Sequence, residues 1–170
     1  PFLGEVPFKK MKGKGKNTPN VVVRESGRDP VSEAFRIIRT NMDFMRVKQD
    51  EIKVITTTST SVGSGKTFVA SNLAVSLAMT GKKVLLIDMD IRKGTLGKGV
   101  DTHKKIEGDD IGLTSYLSKI VLKVESLIIQ DQEYPNIDII RSGPEPPNPA
   151  ELLLSPRLDE LINELRNMYD

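Results

Sequence analysis

The sequence contains no cysteine and no tryptophan, and its aromatic residues are five phenylalanines and three tyrosines. Without cysteine it has neither a disulfide framework nor a zinc site of the cysteine type, which fits a reducing compartment. No apolar run approaches the roughly 18 residues that a membrane span needs, and no signal peptide opens the sequence. Hydrophobic residues make up 38% of 170 positions, which is enough to form one core. We therefore expect one soluble, cytosolic domain.

Charge is distributed unevenly along the chain. Residues 1–28 carry seven basic and two acidic residues, a net charge of +5, whereas the whole chain carries only +2. Five of those lysines lie in "KKMKGKGK", residues 9–16. Two interpretations stay open, a solvated linker or a juxtamembrane tether attracted to anionic lipid. Nucleic-acid binding is not favoured, because no aromatic residues alternate with the lysines and the remainder of the chain is acidic.

The apolar pattern of the first half predicts helices alternating with strands. A helix is expected over residues 30–47 and a strand, "IKVITTT", over residues 52–58. A second helix over residues 66–80 ends at Gly81, and "KKVLLIDMD", residues 82–90, forms a strand covered on both faces. This order predicts an α/β fold whose parallel sheet has a right-handed crossover and flanking helices.

The second half continues the alternation. We predict a surface loop over residues 91–110, then a helix that gives way to a short strand over residues 111–128. A third strand is expected over residues 136–143. Three helix starts combine a capping residue with proline at the first helical position, namely Asp29-Pro30, Asn148-Pro149 and Ser155-Pro156. Glu151 stands where a capping box with Asn148 would place it.

The stretch "TTTSTSVGSGKTFVASNLA", residues 56–74, predicts a phosphate-binding loop between a strand and a helix. Gly63 and Gly65 supply a permissive backbone, Lys66 would reach the β- and γ-phosphates, and the Thr67 hydroxyl would bind Mg²⁺. Thr60 replaces the leading glycine of the G-x-x-x-x-G-K-[ST] pattern. The predicted nucleotide-binding residues are Ser61, Val62, Gly63, Ser64, Gly65, Lys66, Thr67 and Phe68.

Two acidic residues, Asp88 and Asp90, follow the second apolar strand. Open α/β sheets bind their ligands at the carboxyl ends of the strands. The strand period of two predicts that both carboxylates face the same way, toward one Mg²⁺-nucleotide. The alternative is that these acids only solvate the turn after a buried strand.

A phosphate loop followed by "VLLIDMDIR" resembles the deviant phosphate-loop ATPases, and within them the bacterial tyrosine kinases, the cytoplasmic kinase domains of polysaccharide co-polymerases. Four further segments resemble that branch: "LGEVP", "SEAFRIIRTN", "IGLTSYL" and "SGPEPPNPAELLLSPRLDELI". The resemblance covers essentially the whole chain. Residues 1–28 then form a basic juxtamembrane-like segment, and residues 29–170 form the kinase domain.

The resemblance implies roles for individual residues. Lys66, Asp88 and Asp90 would be catalytic, and Thr67 with Asp88 would bind Mg²⁺ beside ATP or ADP. Glu33, Arg36 and Arg39 match the E-x-x-R-x-x-R pattern that mediates ring-like oligomerisation in those kinases. From the residues alone, Glu33 would pair with Arg36 and Arg39 with Asp43 on a solvated helix face.

Two features of the family are missing from the sequence. The third acidic box, an apolar strand ending in Asp-x-Pro-Pro, would follow "NMYD", so we expect the sheet to be truncated there. The C-terminal tyrosine cluster is absent too, since Tyr116, Tyr134 and Tyr169 are scattered. Whether the 170-residue chain alone is active therefore stays open.

The resemblance implies an ATP-dependent tyrosine autokinase that regulates capsular or exopolysaccharide synthesis and export from the cytoplasmic face of the inner membrane. Its expected partners are further copies of itself, a membrane activator region or separate activator protein, and a counteracting phosphatase. One alternative is an ATPase switch of the partitioning type, disfavoured because Ser61 replaces the extra lysine of those loops. Another is a non-catalytic, nucleotide-sensing assembly module of an export machine.

Overall fold

The computed structural model describes residues 2–8, 21–26, 28–46, 52–61, 63–92 and 111–170. The chain forms two compact units, residues 1–82 and residues 83–170. Among the described helices, none is both long and apolar enough to cross a bilayer. The lysine-rich run and most of the loop predicted over residues 91–110 lie outside the described residues.

Helix α1, Pro30–Arg46, begins where the capping signature predicted. The Asp29 carboxylate accepts hydrogen bonds from the backbone N–H of Val31 at 3.2 Å and from the Ser32 hydroxyl at 2.6 Å. Pro30 follows at the first helical position, where a missing N–H costs nothing. The predicted start of this helix is confirmed.

Helix α2, Lys66–Ala78, packs against the apolar face of α1 in the first unit. The two helices meet at the rings of Phe35 and Phe68, whose centroids are 6.2 Å apart with planes inclined by 58°. Gly81, at φ +86°, lies just beyond the end of α2, as predicted. The α1 side chains buried on this face are Val31, Ala34, Phe35, Ile38 and Met42.

Asn72, on α2, is fully buried and joins the helix to a segment 50 residues earlier. Its side-chain oxygen accepts hydrogen bonds from the backbone N–H of Val22 at 2.7 Å and of Val23 at 3.1 Å. Its side-chain nitrogen donates to the Phe68 carbonyl oxygen at 2.7 Å. The asparagine amide therefore satisfies backbone donors that burial would otherwise leave without a partner.

Asn72→Ala is expected to lower the free energy of unfolding by about 2–3 kcal/mol, because it leaves the buried N–H of Val23 and the partly buried N–H of Val22 without their acceptor. Urea denaturation followed by circular dichroism measures this change. The matched control is Asn163→Ala on an exposed helix face, for which we expect a change below about 0.5 kcal/mol. Equal effects of the two substitutions would contradict the anchoring role of Asn72.

The strand predicted over residues 52–58 is wrong in the structure. These residues have no regular secondary structure, and Val54 and Ile55 are 48% and 45% exposed. Their β-branched side chains favour extended backbone, but propensity alone does not make a strand. A strand also needs a neighbour that pairs with its backbone, and the described residues form no such ladder here.

The second unit contains a three-stranded sheet in the order β1-β3-β2. Strand β1, Val84–Ile87, runs parallel to β3, Ile137–Ile140, with Val84 opposite Ile137 and Ile87 opposite Ile140. Strand β2, Ile129–Gln130, pairs with β3 in the antiparallel direction. The predicted α/β class is confirmed, and the sheet contains a parallel pair, β1 with β3. Its third strand is antiparallel, and β1 and β3 are both shorter than predicted.

Helices surround the core of this unit. They are α3 (Leu113–Leu117), a 3₁₀ turn (Val124–Leu127), α4 (Pro149–Leu153) and α5 (Pro156–Met168). The stretch over residues 111–128 begins as a helix, as predicted, but it ends in the 3₁₀ turn, and the short strand β2 begins only at Ile129. The buried core side chains are Ile91, Leu113, Tyr116, Leu117, Val124, Leu127, Ile140, Leu161 and Leu165.

Two predicted side-chain caps are wrong in detail. Asn148 precedes α4, but its side-chain nitrogen donates to the Glu151 carboxylate at 2.9 Å instead of capping a backbone N–H. Ser155 precedes α5, and its hydroxyl is buried with no hydrogen-bond partner among the described residues. Proline occupies the first turn of both helices, so fixed backbone geometry marks these starts without a side-chain cap.

Candidate nucleotide-binding site

The predicted phosphate loop turns through two glycines whose backbones are left-handed, Gly63 at φ +77° and Gly65 at φ +89°. Side chains other than glycine rarely adopt these angles, which explains glycine at both positions. Apart from each glycine and its chain neighbours, no heavy atom of the described residues lies within 4 Å of the place where a Cβ would stand. The loop is therefore open to its surroundings, and the constraint on these glycines is conformational.

Helix α2 begins directly at Lys66, after Gly65 as its N-cap. The backbone N–H of Val69 closes the first turn by donating to the Gly65 carbonyl oxygen at 2.9 Å. Gly65 has no side chain with which to cap this end of the helix, and the first turn carries no acidic residue. The positive end of the helix dipole and the Lys66 ammonium thus act together, an arrangement that favours a phosphate group.

The Lys66 ammonium turns back over the loop. It lies 2.9 Å from the Ser59 hydroxyl and 3.4 Å from the Ser61 carbonyl oxygen. The Ser64 hydroxyl is also 2.5 Å from the Ser59 hydroxyl. Ser59 precedes the phosphate-loop pattern by one residue, so matching the pattern did not reveal it.

The remaining loop residues have different surroundings. Thr67 and Phe68 are half-buried in the first turns of α2, whereas Ser61 and Ser64 are exposed. The Phe68 ring contacts Phe35 of α1, so it contributes to helix packing whatever its role toward a ligand. Val62 lies outside the described residues. Nucleotide binding by these side chains remains a prediction.

Asp88 and Asp90 belong to the second unit and differ in exposure. Asp88 is only 4% exposed, and its backbone N–H donates to the Ile140 carbonyl oxygen at 2.9 Å. Its carboxylate accepts a hydrogen bond from the Asp90 N–H at 3.0 Å, which turns the chain immediately after β1. Asp90 is exposed. The predicted strand ends at Ile87, so the period of two does not extend to these acids, and their catalytic and metal-binding roles remain predictions.

The edge at which Asp88 stands is shaped by a close backbone approach. A Cβ on Gly112 would lie 2.3 Å from the Gly143 nitrogen, and Gly143 itself has φ +80°. Leu113 N–H donates to the Arg141 carbonyl oxygen at 2.8 Å, fixing the start of α3 beside the chain that leaves β3. Backbone contact requires glycine at position 112, whereas position 143 requires it because of the left-handed backbone and because a Cβ would lie 2.5 Å from the Thr114 hydroxyl.

The predicted oligomerisation residues divide into two groups. Glu33 and Arg36 form an ion pair on α1 with a distance of 2.6 Å between the carboxylate and the guanidinium. Arg39 instead donates to the Ser76 carbonyl oxygen at 2.6 Å, near the C-terminal end of α2. A guanidinium there also complements the negative end of the helix dipole. Arg39 therefore links α1 to α2 inside the unit, and an intersubunit role for the three residues remains a prediction.

Arg39→Ala is expected to lower the free energy of unfolding by about 1–2 kcal/mol, because a charge-assisted hydrogen bond to Ser76 is lost. Arg36→Ala is the matched control. It removes an exposed pair on the same helix and should cost less than about 0.5 kcal/mol. Chemical denaturation of both variants measures the difference. If Arg36→Ala were as destabilising as Arg39→Ala, the internal link would be refuted.

Tyr169 closes a cluster around the buried Asp138 of β3. Its hydroxyl donates to the Asp138 carboxylate at 2.8 Å. The Lys83 ammonium lies 3.8 Å from that carboxylate and 4.7 Å from the centre of the Tyr169 ring. Lys83 and Asp170 also exchange two hydrogen bonds, of 2.8 Å and 3.0 Å. Burial, followed by the hydrogen bond and charge of Asp138, raises the pKa of Tyr169 above its ordinary value.

Tyr169→Phe is expected to lower the free energy of unfolding by about 1–2 kcal/mol at pH 7, because Asp138 loses its donor. The pKa of Tyr169 is higher in the folded than in the unfolded chain, so this stabilisation is complete below the unfolded value of 10 and declines above it. Urea denaturation of the wild type and Tyr169→Phe between pH 7 and pH 11 measures the stabilisation at pH 7 and its decline above pH 10. A gap between the two proteins that stayed constant above pH 10 would argue against the assignment.

The described tyrosines are held in the fold. Tyr116 is buried, with the guanidinium carbon of Arg157 lying 4.3 Å from its ring centre. Tyr134 is half-buried, and its backbone N–H donates to the Asp131 carboxylate at 2.9 Å. The Tyr116 ring and the Tyr169 hydroxyl are therefore engaged in packing and hydrogen bonding within the second unit.

A family model described as an AAA domain matches residues 52–170, well over half of the chain. The chain therefore belongs to the AAA-domain family, whose phosphate loop implies nucleotide binding. Curated relatives include the tyrosine-protein kinase YwqD of Bacillus subtilis (strain 168), 42% identical over 153 residues, 89% of this chain and 60% of the relative. The tyrosine-protein kinase wzc of Salmonella typhimurium is 39% identical over 147 residues, 84% of this chain and 19% of the relative.

Comparison with solved structures assigns the chain to a narrower group within this family. The BceF tyrosine kinase domain superposes with a TM-score of 0.81 at 32% identity, covering 99% of this chain and 68% of that one. The kinase domain of the Escherichia coli tyrosine kinase ETK gives 0.80 at 29% identity, covering 99% and 66%. Within the AAA-domain family, the chain belongs to the bacterial tyrosine kinases. It spans 60% of the length of YwqD.

Proposed function

We propose that this chain is the nucleotide-binding part of an ATP-dependent protein-tyrosine kinase. One observation carries the proposal: Lys66 stands at the uncapped start of α2 and turns back over a glycine-rich loop, in a chain that belongs to the bacterial tyrosine kinases. A fixed cation beside a helix N-terminus neutralises phosphate charge, which is the main requirement of phosphoryl transfer.

The loop fits a nucleotide phosphate on its own geometry. Among the described residues, only the chain neighbours of Gly63 and Gly65 approach the space beside them, which would leave backbone groups there accessible to a ligand. Lys66 would bind the β- and γ-phosphates of ATP and the β-phosphate of ADP. Because this charge is held before the reaction begins, it would stabilise the transition state without reorganisation.

Magnesium is the second expected cofactor. Thr67 and Asp88 are the residues that would hold it, since hydroxyl and carboxylate oxygens suit this ion. When bound, Mg²⁺ neutralises charge on the phosphate oxygens. Asp88 or Asp90 would orient or deprotonate the acceptor tyrosine, and burial suits Asp88 to a fixed position and exposure suits Asp90 to an incoming hydroxyl.

The acceptor is proposed to be a tyrosine-rich tail, phosphorylated between subunits of a homo-oligomer through the exposed Glu33–Arg36 face of α1. Support comes from Tyr116 and Tyr169, whose side chains are engaged inside the fold and would therefore be poor acceptors of phosphate. A membrane activator region or protein and an opposing phosphatase complete the proposed system at the cytoplasmic face of the inner membrane. Names such as that of the kinase in the cps region of Klebsiella pneumoniae support a role in polysaccharide synthesis.

Lys66→Met is expected to abolish tyrosine phosphorylation, because it removes the cation that neutralises the transferring phosphate. The intact protein is incubated with Mg-ATP, its mass is measured, and phosphate is mapped to residues. Lys82→Met is the matched control, since it makes the same chemical change beyond the other end of α2. Added phosphate on tyrosine in the wild type and control, but not in Lys66→Met, is the expected result.

Two other results would redirect the assignment. Phosphate released to solution without any phosphotyrosine would identify an ATPase switch of the partitioning type. Neither phosphotyrosine nor released phosphate, with association that still depends on nucleotide and on Lys66, would identify a non-catalytic assembly module.

A further inference from the structure

We propose that Ser59 is a positioning residue, whose hydroxyl sets the Lys66 ammonium over the phosphate loop before nucleotide arrives. This inference rests on the proposed nucleotide site and adds a residue that lies outside the phosphate-loop pattern. Its basis is a set of hydrogen bonds that converge on one side-chain oxygen.

The Ser59 hydroxyl lies at the centre of the hydrogen bonds in the loop. It accepts from the Lys66 ammonium at 2.9 Å, because an ammonium can only donate. It is also 2.5 Å from the Ser64 hydroxyl and 2.9 Å from the Ser61 carbonyl oxygen, and the Ser64 hydroxyl is itself 2.9 Å from that carbonyl oxygen. Each serine has one proton to donate, so the two hydroxyls divide these bonds between them. In every arrangement Ser59 accepts from Lys66, and its own position is restrained by Ser64 and the Ser61 carbonyl oxygen.

This arrangement restrains a side chain that is otherwise free to rotate. Lysine loses more rotamer freedom on being fixed than most residues, and fixing it in advance lowers the cost of binding. Without Ser59, the remaining loop contact of the ammonium would be the 3.4 Å approach to the Ser61 carbonyl oxygen. That distance is beyond the usual range of a strong charge-assisted hydrogen bond.

The ammonium keeps donors for a ligand while Ser59 holds it. A lysine ammonium has three N–H donors, and Ser59 engages one of them at short distance. The long contact to Ser61 takes at most a second. One N–H thus remains for a phosphate oxygen, so Ser59 need not be displaced when nucleotide binds.

The test is a double-mutant cycle on Mg-ADP binding, measured by isothermal titration calorimetry with wild type, Ser59→Ala, Lys66→Met and the double variant. Because Ser59 acts through Lys66, we expect Ser59→Ala to raise the Kd about 3- to 10-fold in the wild type and not in the Lys66→Met background. Ser59→Thr keeps the hydroxyl and should restore binding. Thermal denaturation should be unchanged, since the loop hydroxyls are exposed.

The outcomes separate this inference from the proposed function. If Lys66→Met binds Mg-ADP as tightly as wild type, the nucleotide site itself is wrong. If Lys66→Met weakens binding but Ser59→Ala does not, only the role of Ser59 is refuted. An equal loss from Ser59→Ala with and without Lys66 would also refute it, because the serine would then act independently of the lysine.

Discussion

The placement of helix α2 is the constraint on which the candidate site depends. Its first residue is Lys66, so whatever fixes the helix also fixes the cation and the loop before it. Three contacts do so: the ring of Phe68 against Phe35, the buried amide of Asn72, and Arg39 at Ser76. They are spread along the helix from its first turn to its last. A phosphate-binding terminus needs such support, because small displacements at a reacting centre reduce catalysis strongly.

Features that depend on local chemistry were predictable from the sequence. Asp29 and Pro30 mark the start of α1 because a cap and a fixed φ act within a few residues. The buried face of α1 follows from helical spacing alone. Glycine at positions 63 and 65 indicated the loop, because few other residues adopt a left-handed backbone. These signals are short-range, so tertiary structure had little opportunity to override them.

Features that depend on distant partners were not predictable. Residues 52–58 have strand composition, yet a strand requires a paired neighbour that composition does not specify. Asp88 and Asp90 were expected on one face, but the turn at Asp88 ends the strand at Ile87, three residues earlier than the pattern implied. Asn72 reads as an ordinary polar position in a helix. Its importance comes from two backbone groups some 50 residues away.

The central claim is that nucleotide phosphate binds at the loop before α2. Hydrogen–deuterium exchange with and without Mg-ADP tests it most directly, because amides that bind phosphate or become ordered around it exchange more slowly. The account predicts slower exchange in residues 59–69, with little change in α5, Pro156–Met168. Unchanged exchange in residues 59–69, alongside clear protection elsewhere, would place the nucleotide at a different site and contradict the account.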